Sequence, residues 1–140
     1  MTDLTHFRTA QEGTYAQALA EISAGRKRSH WMWYVFPQLR GLGRSQMADR
    51  YGLADLDETR AYLADPVLEQ RLREISEALL EQPERDAYAV FGTPDDLKLH
   101  ASMTLFARVD PASSSVFRRV LDAFFDGEEH ERTLALLATA

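Results

Sequence analysis

The chain has 140 residues, no cysteine and a net charge of −6, with 45% hydrophobic and 27% charged residues. That composition suits one globular domain with a real core and argues against disorder; the lack of cysteine excludes disulfide scaffolds, thiolate zinc sites and cysteine nucleophiles. No apolar run approaches the ~20 residues that span a bilayer, and the opening MTDLTHFRTAQEG lacks the basic-then-apolar layout of a secretory leader, so a cytoplasmic protein is expected.

Helix punctuation is frequent and strand signals are nearly absent. Asp3 is placed to cap a helix from Leu4 to about Ala24, with Gly25 as its left-handed stop. Leu4, Phe7, Tyr15, Ala18, Leu19 and Ile22 fall on one stripe at helical spacing, and Gln11 lands inside it. A glutamine on a core-facing line needs partners, because an unpaired buried amide costs roughly 1–3 kcal/mol; a neighbouring backbone group or a ligand would serve. Residues 25–37, GRKRSHWMWYVFP, then drive three cations and a histidine into six large apolar residues and a proline. Ser29 is read as the cap of a short helix from His30 to Phe36, ended by Pro37. After the loop QLRGLGRS, Ser45 caps a short helix to about Tyr51, with Gly52 as its stop.

The second half is read more directly. Asp55 caps a helix from about Leu56 to Ala64, with Asp57 and Glu58 complementing its dipole. Asp65-Pro66 places a cap before a proline at the first helical position, and Val67, Leu68, Leu72, Ile75 and Leu79 form the stripe that follows. A short helix through Tyr88 and Val90 ends at Gly92. Thr93-Pro94-Asp95-Asp96 then reads as a capping-box-like opening to a helix reaching about Arg108. A helix bearing Val116, Val120 and Phe124, with Phe117, Leu121 and Phe125 beside them, precedes Gly127 and a last helix carrying Leu134 and Leu137. The fold class is all-α: a single compact domain over residues 1–140, of seven or eight helices around one core.

The charge is uneven. Residues 26–50 carry Arg26, Lys27, Arg28, Arg40, Arg44 and Arg50 against Asp49, a local balance of +5, and the remainder is −11. An acidic body repels polyanions, so nucleic acid is disfavoured as a partner. A basic segment beside aromatic rings suits a small anion. Lys27 and the arginines supply charge, Trp31, Trp33 and Tyr34 supply pocket walls, and free N–H groups at a helix start favour the same ligand. The loop Gly41-Leu42-Gly43-Arg44-Ser45 is a weaker candidate cradle, lacking both the dinucleotide and the P-loop pattern. Lys98 and Ser102 are four apart and share a helical face, where one could hold an anion and the other donate a hydrogen bond. The histidines at 6, 30, 100 and 130 show no i,i+4 pairing, so neither a metal nor any other cofactor is expected.

Three stretches, GRKRSHWMWYVFPQLRGLGRSQMADRYG, AYLADPVL and FGTPDDLKLHASMTLFA, resemble in sequence and order the bacterial family catalogued as domain of unknown function 1810. The resemblance runs from DLTHFRTAQ to VLDAFFDG and implies a compact, mostly helical fold, with no activity attached. The family pattern commonly has arginine where His100 stands, which argues against an acid–base role for His100. Some members carry the label calpastatin. Calpastatins are disordered chains, and the helical periodicity here does not fit that label. The FRTAQ stretch is also loosely similar to a motif of a helical family acting on ADP-ribose conjugates.

The reading that follows is a small phosphate-bearing, nucleotide-like ligand held in a basic and aromatic pocket. Arg26, Lys27, Arg44 and Lys98 hold the anion; Trp31, Trp33 and Tyr34 wall the pocket; Gln11, Gln38 and Ser102 orient the ligand. If the ligand is turned over, hydrolysis with His30 as acid–base group is the expected class. The alternatives are single-stranded nucleic-acid binding, which requires the rings to be exposed, and a protein-interaction module, which requires a large apolar patch.

Overall fold

The computed structural model describes residues 2–139. Among them the chain forms ten helices and no sheet, beyond a single parallel bridge between Leu39 and Leu53. The helices are α1 (Thr5–Glu12), α2 (Tyr15–Ser23), α3 (Met32–Val35), α4 (Gln46–Arg50), α5 (Leu56–Ala64), α6 (Pro66–Glu81), α7 (Ala87–Phe91), α8 (Asp95–Val109), α9 (Val116–Phe125) and α10 (Glu131–Thr139). The count exceeds the expected seven or eight for two reasons. The N-terminal helix divides at Gly13-Thr14, and the three short helices expected near residues 30–36, 45–51 and 88–91 all form and count as separate elements beside the longer ones.

The local rules hold where side chain and backbone meet within a turn. Ser45 accepts from the Ala48 N–H, Asp55 from Glu58, Asp65 from Val67 and Leu68, and Asp86 from Tyr88. Asp3 acts one residue early, accepting from Thr5 while Leu4 occupies the cap position. Gly25 takes the left-handed conformation that ends α2, at φ 81°. Gly52 is needed for a different reason than stopping a helix. A Cβ there would lie 2.7 Å from the Arg40 Cα, because the Arg40 N–H donates to the Leu53 carbonyl and the Leu53 N–H to the Gln38 carbonyl, drawing the 38–40 and 52–53 segments together.

Two expected helix caps do not form. Ser29 does not cap α3; its hydroxyl and N–H both go to the Glu21 carboxylate, and α3 begins after Trp31 without a side-chain cap. Thr93 does not cap α8 either. Pro94 stands at that position without a side-chain bond, and the Asp95 carboxylate turns away to two lysines.

Helix α8 is the axis of the molecule, packed against α5, α7, α9 and α10, while α6 packs against α1, α2, α5 and α9. Its residues 101–107 are all buried. Phe7, Ile22, Trp31, Phe36, Tyr62, Leu72, Phe106 and Phe117 belong to one continuous cluster, so the two halves of the chain share a core. No helix among the described residues is long and apolar enough to cross a membrane.

Candidate functional site

The basic segment leaves the end of α2 and folds back against it. Its backbone finds an anion at once, and that anion belongs to the chain. Glu21 Oε1 accepts from the N–H groups of Arg28 and Ser29, at 2.8 and 3.1 Å, and from the indole N–H of Trp31 at 3.0 Å. Its other oxygen accepts from the Ser29 hydroxyl and the Gln17 amide. Burial alone would raise the Glu21 pKa; the hydrogen bonds from Ser29, Arg28 and Trp31 outweigh it and hold the carboxyl at about 2.

Lys27 points the other way, toward the start of α8. Its ammonium lies 2.8 Å from Asp95 Oδ2, donates to the Ser29 carbonyl, and sits 4.9 Å from the centre of the Trp31 ring. Asp95 uses its second oxygen on Lys98, 3.4 Å away, and Lys98 in turn lies 4.9 Å from the centre of the Trp33 ring. One carboxylate thus bridges two lysines from distant parts of the sequence. Lys27, His30, Trp33, Pro94, Asp95 and Lys98 line a cleft of about 280 Å³. A neighbouring cleft of about 390 Å³ shares Lys27 and runs between Arg26 and the Tyr88–Gly92 segment. Adjoining the first cleft is a small recess of about 10 Å³, room for one water molecule, lined by Trp33, Gln38, Tyr51 and Lys98.

Of the residues nominated from sequence, Lys27, His30, Trp33 and Lys98 meet in this cleft, Gln38 lines the small recess beside it, and Arg26 borders the adjoining cleft. The rest lie elsewhere. Gln11 is buried and donates to the Tyr34 carbonyl at 2.6 Å and to the Tyr62 hydroxyl, while accepting from Arg71. Its amide is a joint of the core, as the backbone alternative required. Trp31 is fully buried on Glu21, and Tyr34 is buried against Tyr51 with its hydroxyl on Thr14. Ser102 is fully buried in α8, its hydroxyl without a protein partner. Arg44 is exposed in the 41–45 loop and lines neither cleft. These five do not contribute side chains to the cleft; helical spacing put Ser102 on the Lys98 face, but one turn deeper that face is solid core.

The alternatives fare differently. Five of the six residues 31–36 are buried and only Trp33 is part-exposed, so there is no aromatic platform for a nucleic-acid strand. Exposed large apolar side chains number two among the described residues, Tyr88 and Leu97, which make no extended patch. A wider cleft, about 710 Å³ beside α1 and α5, has Arg8 as its cation, and Arg8 is clamped on Asp65 at 2.6 Å.

The family model described as a protein of unknown function (DUF1810) matches residues 1–137. The chain belongs to that family. A solved structure is similar throughout: the conserved hypothetical protein Rv1873 from Mycobacterium tuberculosis is 47% identical, with a TM-score of 0.94 over 99% of this chain and 98% of that one. No curated protein matches the chain. The fold accounts for His100. Its ring lies flat on Phe125, with centres 4.1 Å apart, and its Nε2–H donates to the Glu128 carbonyl. Arginine stacks and donates in the same way, so the position is a clasp between α8 and the α9–α10 turn.

Two residues that matter most here were not singled out for the site, Glu21 and Asp95. Glu21 did carry a signal, an acid on the buried flank of a helix three residues after Ala18, directly before the most cationic stretch in the chain.

Proposed function

We propose that the cleft between the 26–33 segment and α8 binds a small phosphate-bearing anion of nucleotide-like size. The observation that carries this reading is the convergence of Lys27, His30 and Trp33 from one segment and Lys98 from α8, far apart in sequence, on one cleft. Its two lysines against one carboxylate leave a positive balance, within a chain that is otherwise acidic. Its volume of about 280 Å³ lies just under the ~300–1,000 Å³ typical of ligand pockets, which suits a small ligand. Arg26, exposed and without an ion pair among the described residues, adds charge where the second cleft begins.

His30 is the group that would exchange a proton with a bound ligand. It is exposed at the cleft, and among the described residues its ring has no hydrogen-bond partner. Hydrolysis of the ligand is the reaction such a group would serve.

Thermal-shift and calorimetric titrations with inorganic phosphate, sugar phosphates and nucleotides test the reading. Binding by one of these classes that falls at least ~tenfold in Lys98→Ala supports it. No binding at millimolar concentration, or binding indifferent to Lys98, overturns it.

A further inference from the structure

The two lysines of the cleft are not equivalent. The Lys27 ammonium has three partners, the Ser29 carbonyl, Asp95 Oδ2 and the face of the Trp31 ring, and its side chain is only 6% exposed. What it offers a ligand is its charge at the cleft wall, and its contacts tie the α2–α3 link to α8. Lys98 is different. Its contact with Asp95, at 3.4 Å, is longer than a normal hydrogen bond, and its side chain rests on the face of Trp33.

Lys98 and Trp33 line both the open cleft and the small recess beside it, so together they form the partition between the two. Gln38 lies in the recess, and its side-chain amide makes no hydrogen bond among the described residues. An aromatic face under a loosely held ammonium, beside an idle amide, is an arrangement that a flat ligand could take over.

We infer, resting on the anion-binding reading above, that Lys98 is a displaceable cover on Trp33, and that the ligand is a planar ring carrying a single phosphate, the chemical class of a nucleoside monophosphate. The ring takes the Trp33 face that Lys98 vacates. Its polar edge meets the Gln38 amide, and the released ammonium moves from the ring to the phosphate. Stacking on an aromatic side chain and a charge-assisted contact then replace a cation–π contact and a long ion pair. The charge balance of the cleft, two lysines against Asp95, fits one phosphate and not a triphosphate, whose added charge would face Asp95 with no further cation inside the cleft.

Calorimetry with AMP, ATP and ribose 5-phosphate on the wild-type protein tests this without any substitution, and Trp33→Leu adds a second arm. The expected result is AMP at least ~tenfold tighter than ribose 5-phosphate and tighter than ATP, with Trp33→Leu lowering AMP to the level of ribose 5-phosphate. Equal affinity for AMP and ribose 5-phosphate, or ATP binding tighter than AMP, overturns the displaceable cover and the single-phosphate class while leaving an anion site in place. No binding of any of the three overturns the cover and the anion site together.

Discussion

Glu21→Gln removes a charge and almost no volume from the joint that folds the basic segment onto α2. In the native chain this carboxylate receives five hydrogen bonds, and its pKa of about 2 lies well under the ordinary value of 4.5. The folded state therefore holds its proton less tightly than the unfolded chain does. Stability from Glu21 is fully present above pH ~4.5 and is lost as pH falls from there through about 2. At 1.36 kcal/mol per pKa unit, the gap corresponds to ~3 kcal/mol at neutral pH. The amide of Glu21→Gln can still accept from Arg28, Ser29 and Trp31, so the predicted cost is that electrostatic part. In a chain of this length it lowers the Tm by roughly 10 °C at pH 7. Urea titrations of both proteins at pH 7, 4 and 2.5 provide the assay. The account predicts a difference of ~3 kcal/mol at pH 7 that narrows as the native carboxyl takes up its proton. Equal stability at pH 7, or a constant difference at all three pH values, refutes it.

Three further predictions concern the rest of the frame. Asp95→Ala strands the buried Lys27 ammonium and costs ~3 kcal/mol, and adding Lys27→Met recovers part of that loss in urea denaturation, because a pair removed together leaves no unpaired charge. Gly52→Ala drives a methyl group into the Arg40 backbone and destabilises by ~2 kcal/mol, read as a lower urea midpoint at unchanged slope. His130 accepts the Thr133 N–H and hydroxyl on Nδ1, and burial, then the charge of His100, lower its pKa, so this contribution is complete above pH ~6.5 and declines as pH falls through the lowered value. His130→Asn keeps a capping acceptor without titrating, and therefore shows less loss of Tm than the native protein between pH 7 and 5.

The elements legible in the sequence are those decided within one helical turn. Asp55, Asp65 and Ser45 cap because the N–H groups they satisfy are two or three residues away, and Gly25 stops α2 because few other residues take its conformation. Charge was equally visible: the +5 segment is a fact of composition. What composition cannot display is where the counter-ions come from. Glu21 and Asp95 reach the segment from either side of it, the second across nearly seventy positions of chain, and the two together absorb the backbone donors and Lys27. The same limit explains Thr93. A local rule assigns it a cap, but the lysines draw Asp95 aside, and Pro94 fills the position without a side-chain bond. Gln11 and Ser102 fell on the right helical faces, and only packing reveals that those faces meet core and not cavity.

The two tryptophans make the central claim directly measurable. Trp31 is sealed with its indole N–H on Glu21, while Trp33 stands in the cleft under Lys98. In a two-dimensional ¹H–¹⁵N spectrum each gives its own indole signal. On titration with AMP the account predicts that the Trp33 indole and the amides around His30 and Lys98 shift together along one saturating curve, while the Trp31 indole and the Arg44 loop stay in place. An unchanged Trp33 signal at millimolar AMP, or shifts centred on the Arg44 loop, would contradict it.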